Sequence, residues 1–225
     1  MNGDQGKAFE VVMAGYFRAP DPAAMVARFA AEPVTEAWRA QTVLTLPVFL
    51  ALMVDGAPQA AAQLVEAVRG GDPVKIEVVA QALNYSHLPD RRRLMESLVG
   101  EAAAGSMDAG GADFKDFAPT HPVHVDMLWA AFFATGDADY VAAIARLLDG
   151  WMPEAQLQPL LAVAARDEAA AKRAMAGVLA GAAQWSLAAN ARDFVEVRTA
   201  LAATAARRDG LGAALAAKIL ASAAG

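Results

Sequence analysis

At 225 residues the chain can bury a core without cross-links, and its lack of Cys rules out disulfide frameworks, thiolate nucleophiles and Cys-ligated zinc or iron–sulfur centres. A formal charge of −6 leaves no basic surplus to displace counterions from a phosphate backbone, so nucleic acid is disfavoured as a partner. Nearly half of the 56% hydrophobic fraction is Ala, roughly a quarter of all residues, and Ala has the strongest helix preference but a small transfer free energy.

The first ten residues, MNGDQGKAFE, lack the basic start, apolar run and small-residue cleavage site of a secretory leader. The default location is therefore the cytoplasm, with an exported protein that has lost its leader as the alternative. Two short helices are expected over Phe9 to Phe17 and Pro22 to Ala31, the second with Asp21 as N-cap and Pro22 at its first position, and these cap the array. The apolar run Ala40 to Val54 contains Pro47 and falls short of the about 20 residues that span a bilayer, so it reads as a buried helix. A second uncharged stretch, Ala174 to Ala191, carries Gln184, Ser186 and Asn190 and is too polar to insert; no membrane span is expected.

From Leu46 onward the pattern is one of helix pairs. Leu46 to Val54 and Ala60 to Val68 form the first, joined by Asp55-Gly56-Ala57-Pro58 and closed by Gly70. Asp72-Pro73 opens the second, with Ile76, Val79, Ala80 and Leu83 on one face, followed by a helix opened by Pro89-Asp90 that bears Leu94 and Leu98 and stops at Gly100. Pro122 opens the third, with Val125, Leu128, Trp129, Phe132 and Phe133 on one face, then the turn Thr135-Gly136-Asp137 and a helix with Val141, Ile144, Leu147 and Leu148. The segments DPVKIEVVAQALNYS and HPVHVDMLWAAFFAT align without a gap, pairing Ile76 with Val125, Glu77 with Asp126 and Leu83 with Phe132. Helices then continue over Met152 to Ala165, Glu168 to Ala191, Phe194 to Arg207 and Leu211 to Ser222, the last preceded by Asp209-Gly210.

The reading is an all-α fold in which antiparallel helix pairs of about 30 residues stack as an α-α superhelix of roughly 10–12 helices. Coincidental likeness between amphipathic hairpins is the competing explanation of the repeat. No tetratricopeptide or ankyrin signature is present. The chain forms one helical-repeat domain over residues 1–225, with a subdomain seam in the loop from Ala104 to Thr120, the longest break in the rhythm.

Candidate sites are few. His121 and His124 stand three apart at a helix start with Asp126 nearby, and His87 occupies the corresponding turn of the previous pair. That grouping invites metal or acid–base chemistry, but no His-Glu-x-x-His arrangement exists, and solvated or capping imidazoles fit better. Trp129 and its aromatic neighbours could grip a peptide, yet their spacing is that of a core stripe; Trp38 and Trp185 are read as core as well. Arg91, Arg92 and Arg93 form the only dense basic run and could meet an anion, although consecutive residues do not share a helix face and a cationic first turn opposes the helix dipole. Gly177 and Gly181 are read as close intramolecular helix packing. Phe114 and Phe117, set among Asp residues in the 104–120 loop, either dock back on the helices or meet a partner.

Gly-rich phosphate loops, Gly-x-Ser-x-Gly elbows and kinase-type sets are missing, and Gly210-Leu211-Gly212 lacks a third glycine. No cofactor is expected. The favoured function is a non-catalytic scaffold or adaptor for another protein, with self-association open. The alternative is a helical enzyme or small-ligand binder with its pocket near His121, His124 and the 104–120 loop.

Overall fold

The structure, a computed structural model, describes residues 9–108, 110–207 and 210–223, with only the backbone of Ala37 and Gln41. The leader reading of the first eight residues and the helix-start signal at Asp209 lie outside the described residues. In chain order the helices are α1 (Phe9–Gly15), continued by a 3₁₀ turn (Tyr16–Arg18), α2 (Pro22–Ala31), α3 (Glu36–Thr42), α4 (Leu46–Gly56), α5 (Gln59–Val68), α6 (Pro73–Tyr85), α7 (Arg91–Val99) and α8 (Glu101–Met107). Then follow α9 (Val123–Thr135), α10 (Ala138–Arg146), a second 3₁₀ turn (Leu147–Gly150), α11 (Glu154–Val163), α12 (Glu168–Asn190), α13 (Val195–Ala205) and α14 (Leu211–Ala223). No strand occurs among the described residues, and the fold is all-α.

Short polar side chains start many of these helices. The Asp21 carboxylate accepts the backbone N–H of Ala24 at 2.9 Å, Asp72 that of Val74 at 2.8 Å, Asp137 that of Asp139 at 3.0 Å and Asp167 that of Ala170 at 3.0 Å. Each satisfies a first-turn donor that has no partner within the helix. Two helices were not anticipated. Thr35 accepts the Trp38 N–H at 3.1 Å and starts α3, so the uncharged run from Ala40 is broken at residues 43–45 and only its second part is the buried helix. The expected loop begins later than Ala104, because α8 holds residues 101–107.

By internal contacts the chain divides into two compact units: Met1–Phe114 with Ala130–Gly136, and Lys115–Trp129 with Asp137–Gly225. In the first unit, α4 is buried along nearly its whole length, from Leu46 to Ala51 and at Met53 and Val54. It packs on α5 and α6, α5 packs on α6 and α7, and α6 packs on α7. The first helices of successive pairs therefore touch each other, and so do the second. Phe9, Phe29 and Phe49 are fully enclosed, Tyr16 meets the Phe49 ring edge-on at 5.3 Å, and Phe17 meets Phe132 at 4.8 Å. Gly136 ends α9 with φ +71°, and a Cβ there would fall 2.7 Å from the Phe17 ring, so glycine is required twice over. Lys75 is buried; its ammonium donates to the Ala30 carbonyl at 2.6 Å and lies 5.5 Å over the Phe29 ring. Desolvation lowers its pKa, and Asp72 and Glu32 pull the other way.

The second unit is assembled on its 3₁₀ turn. Leu147–Gly150 touches α10, α12 and α14. A Cβ on Gly212 would lie 2.8 Å from the Leu148 carbonyl, and one on Gly150 would lie 2.8 Å from that of Ala176, so α14 and α12 each approach the turn backbone to backbone. The Trp151 indole donates to the Gln184 side-chain oxygen at 2.9 Å. Arg198 donates to the carbonyls of Ala191 and Arg192 at 2.9 and 3.0 Å, satisfying acceptors left over at the end of α12.

Candidate functional site

The two halves of the segment between α8 and α9 are held differently. Asp108, just past α8, receives the Arg91 guanidinium at 3.1 Å and lies 3.6 Å from that of Arg92. The hydrogen bond from Arg91, then that from the Gly110 N–H, holds the Asp108 carboxyl below its usual range. Ala112 N–H donates to the Tyr85 carbonyl at 2.9 Å, and Phe114 is buried edge-on against the Tyr85 ring at 5.5 Å. Phe114 thus has a core role.

The arginine run is neutralised by neighbouring carboxylates. Arg92 donates to Glu96 at 2.7 Å and Arg93 to Asp90 at 2.7 Å, while Arg91 holds Asp108. Each pair is at least partly exposed and worth little to stability, but together they answer the unfavourable meeting of three cations with the first turn of α7.

Beyond Phe114 the chain belongs to the second unit. Lys115 pairs with Asp137 at 2.5 Å, and the Phe117 ring lies 4.6 Å from the His124 ring. The two candidate histidines are then used by the backbone. His121 Nδ1 accepts the Val123 N–H at 3.3 Å, and His124 Nδ1 accepts the Thr120 N–H at 3.0 Å. Their rings are 6.1 Å apart. A neutral imidazole accepts at one nitrogen only, so both rings carry their proton on Nε2 and neither Nδ1 is available as a base. Desolvation and the neighbouring His121 lower the pKa of His124. Asp126 does not pair with either ring; partial desolvation raises its carboxyl, although the residue as a whole is open to solvent, so the shift is small in consequence. His87 is apart from both, bonded through Nδ1 to Asp55 at 3.2 Å, with its N–H on the same carboxylate at 2.8 Å. Among the described residues no group of three or more metal-ligating side chains converges, and no helix is long and apolar enough to cross a membrane.

Trp129 and Trp38 are buried, as their spacing implied, and the Thr42 hydroxyl bonds the Trp38 carbonyl. Trp185 corrects the reading of it as core, for it is 76% exposed. The buried face of α12 runs through Ala180, Ala183 and Leu187, about 200° around the helix from Trp185 at 100° per residue. The glycines of α12 also differ from each other. Gly177 is buried against Leu157 and Met152, whereas a Cβ on Gly181 would meet nothing within 4 Å. In the first unit, a cleft of about 750 Å³ opens between α1, the first 3₁₀ turn and α2, lined by Val11, Tyr16, Asp21, Met25 and Arg28 among others. Nothing in the sequence pattern pointed to it, because its walls are ordinary amphipathic positions.

Compared with family models, with curated proteins and with solved structures, the chain matches none.

Proposed function

We propose that this chain is a non-catalytic helical scaffold that holds another protein, with Trp185 at the centre of the contact. The observation that carries the reading is the exposure of that indole: a Trp 76% open to water is the residue type that most often dominates binding energy at protein interfaces. Gly181, one turn earlier on the same side of α12, is open, and Ala188 and Ala189 beside it are exposed. The second unit also exposes Leu161, Val163, Val195 and Leu211. Support comes equally from the histidines, whose Nδ1 atoms serve the backbone instead of a reacting group.

The test is a photo-crosslinking residue at position 185, compared with one at Lys172, which is exposed on the same helix. A discrete adduct formed at 185 in extract of the producing cells, absent at 172 and lost on competition with unlabelled protein, supports the reading. Equal labelling at both positions overturns it, and an adduct of twice the chain mass, matched by light scattering, assigns the surface to a second copy. The cleft between α1 and α2 favours a second reading, a small-ligand binder, since its volume is that of a drug-sized site. Saturable thermal stabilisation by a small molecule, lost in Met25→Trp and retained in His124→Ala, supports that alternative at this cleft.

A further inference from the structure

Taking Trp185 as the contact residue proposed above, we infer that its partner is a second copy of this chain, the exposed indole of one molecule seating in the cleft between α1 and α2 of the next. Two apolar features open to water have opposite shapes. In the second unit Trp185 is 76% exposed and flanked on α12 by Gly181, Ala188 and Ala189, so a large ring stands out from a smooth surface. In the first unit the cleft is a hollow of about 750 Å³, lined by Gly15 at the end of α1, by the exposed Ala24, Ala27 and Ala31 of α2, and by the buried Met25 and Tyr16. Small residues on both surfaces let two helices draw close enough for the ring to enter. A Trp ring buries roughly 150–250 Å² when it does so.

Charge separates this seating from the pairing of two Trp185 faces. Residues 169–192 hold three cations, Lys172, Arg173 and Arg192, and no carboxylate. Arg192 is seven residues on from Trp185, two turns along and about 10 Å away, on the same side of the chain. It is exposed, and among the described residues no carboxylate pairs with it. A second α12 face offers it no counter-ion. The cleft does, because Asp21 lines it, is exposed, and spends one carboxylate oxygen on the Ala24 N–H while the other faces no donor among the described residues. Arg28, which also lines the cleft, is answered on its own helix by Glu32 at 3.7 Å.

Each molecule carries one ring and one hollow, so the contact is head-to-tail and repeats from copy to copy, whether or not the series closes. One ring with its small neighbours buries less than the about 1,200 Å² at which stable interfaces begin, so assembly is weak and depends on concentration. Occupied in this way, the cleft is a socket for protein and not for a small molecule.

Sedimentation velocity and light scattering on the full chain read the contact. The weight-average mass of the wild type should rise about twofold or more between about 10 and 500 µM. Trp185→Gln removes the ring, and Ala27→Arg fills the cleft at an exposed position with a cation that repels Arg192; each should stay at the mass of a single chain. Mixed in equal amounts, the two variants should form a complex of two chains and nothing larger, since the Trp185 of one fits the intact cleft of the other and no second contact remains. That recovery also shows both variants to be folded. A wild type that stays single throughout the range, or a mixture that does, overturns the proposal. If the wild type assembles and only Trp185→Gln stops it, the cleft is not the socket, and the proposal falls while Trp185 remains a contact residue. Assembly that survives both substitutions, with no adduct at position 185, overturns the proposal and the contact reading together.

Discussion

The two units solve the same packing problem with different residues. The first unit encloses large side chains, among them Phe9, Phe29, Phe49, Leu50 and Phe132, so helices are kept apart by rings and branched chains. The second unit holds 31 alanines among residues 137–225, against 23 among residues 1–114, and brings helices together at Gly150, Gly177 and Gly212. Small residues bury less apolar area each, but they let backbones touch. The first kind of core should be sensitive to losing volume, and the second to gaining it.

Phe49→Ala, in the first unit, is expected to show the largest effect. The ring is fully enclosed, and its removal should cost about 3–5 kcal/mol in denaturant unfolding. A loss below about 1 kcal/mol would mean that the site collapses and that large side chains are not what holds this unit. Gly212→Ala adds a single methyl 2.8 Å from rigid backbone, and should cost about 1–3 kcal/mol, with hydrogen exchange rising in α14 and in the turn Leu147–Gly150. Were it neutral, the close approach would not matter. Gly181→Ala puts the same methyl on the same kind of helix where nothing is near, and should stabilise by about 0.8 kcal/mol through helix propensity alone. The opposite signs at 212 and 181 are the sharpest form of the contrast. Trp185→Gln should change stability by less than about 0.5 kcal/mol, since the indole is exposed, while abolishing a partner contact. A loss of several kcal/mol in a thermal melt would return Trp185 to the core.

How much of this was legible in the sequence depended on the same difference. Where large apolar residues recur at helical spacing, as in Val125, Leu128, Trp129 and Phe132, periodicity found both the helix and its buried face. Helix starts were readable where Asp precedes Pro at the first turn, as at Asp21 and Asp72, because that chemistry is local, whereas the Thr35 cap of α3 was missed. On α12 the signal failed. With Ala on every side the apolar pattern barely distinguishes one face from another, and a lone Trp dominated the choice. Ala180, Ala183 and Leu187 mark the true face, but alanine is equally at home in water or in a core. The histidine cap was half legible: the position at a helix start suggested capping, whereas the reach of His124 back to Thr120 depends on the path of residues 115–122. The glycine contacts at 150 and 212 were invisible, since each depends on a partner far away in sequence.

That last distance has a consequence for how the protein is made. The turn Leu147–Gly150 is covered by α14 through Gly212, some sixty residues further on. During synthesis at about 5–20 residues per second, several seconds pass between the emergence of one and the arrival of the other. Throughout that interval α10 and α12 can form, but one side of the turn stays bare. The first unit's α4 and α6, by contrast, are neighbours within a few tens of residues and can close as they appear.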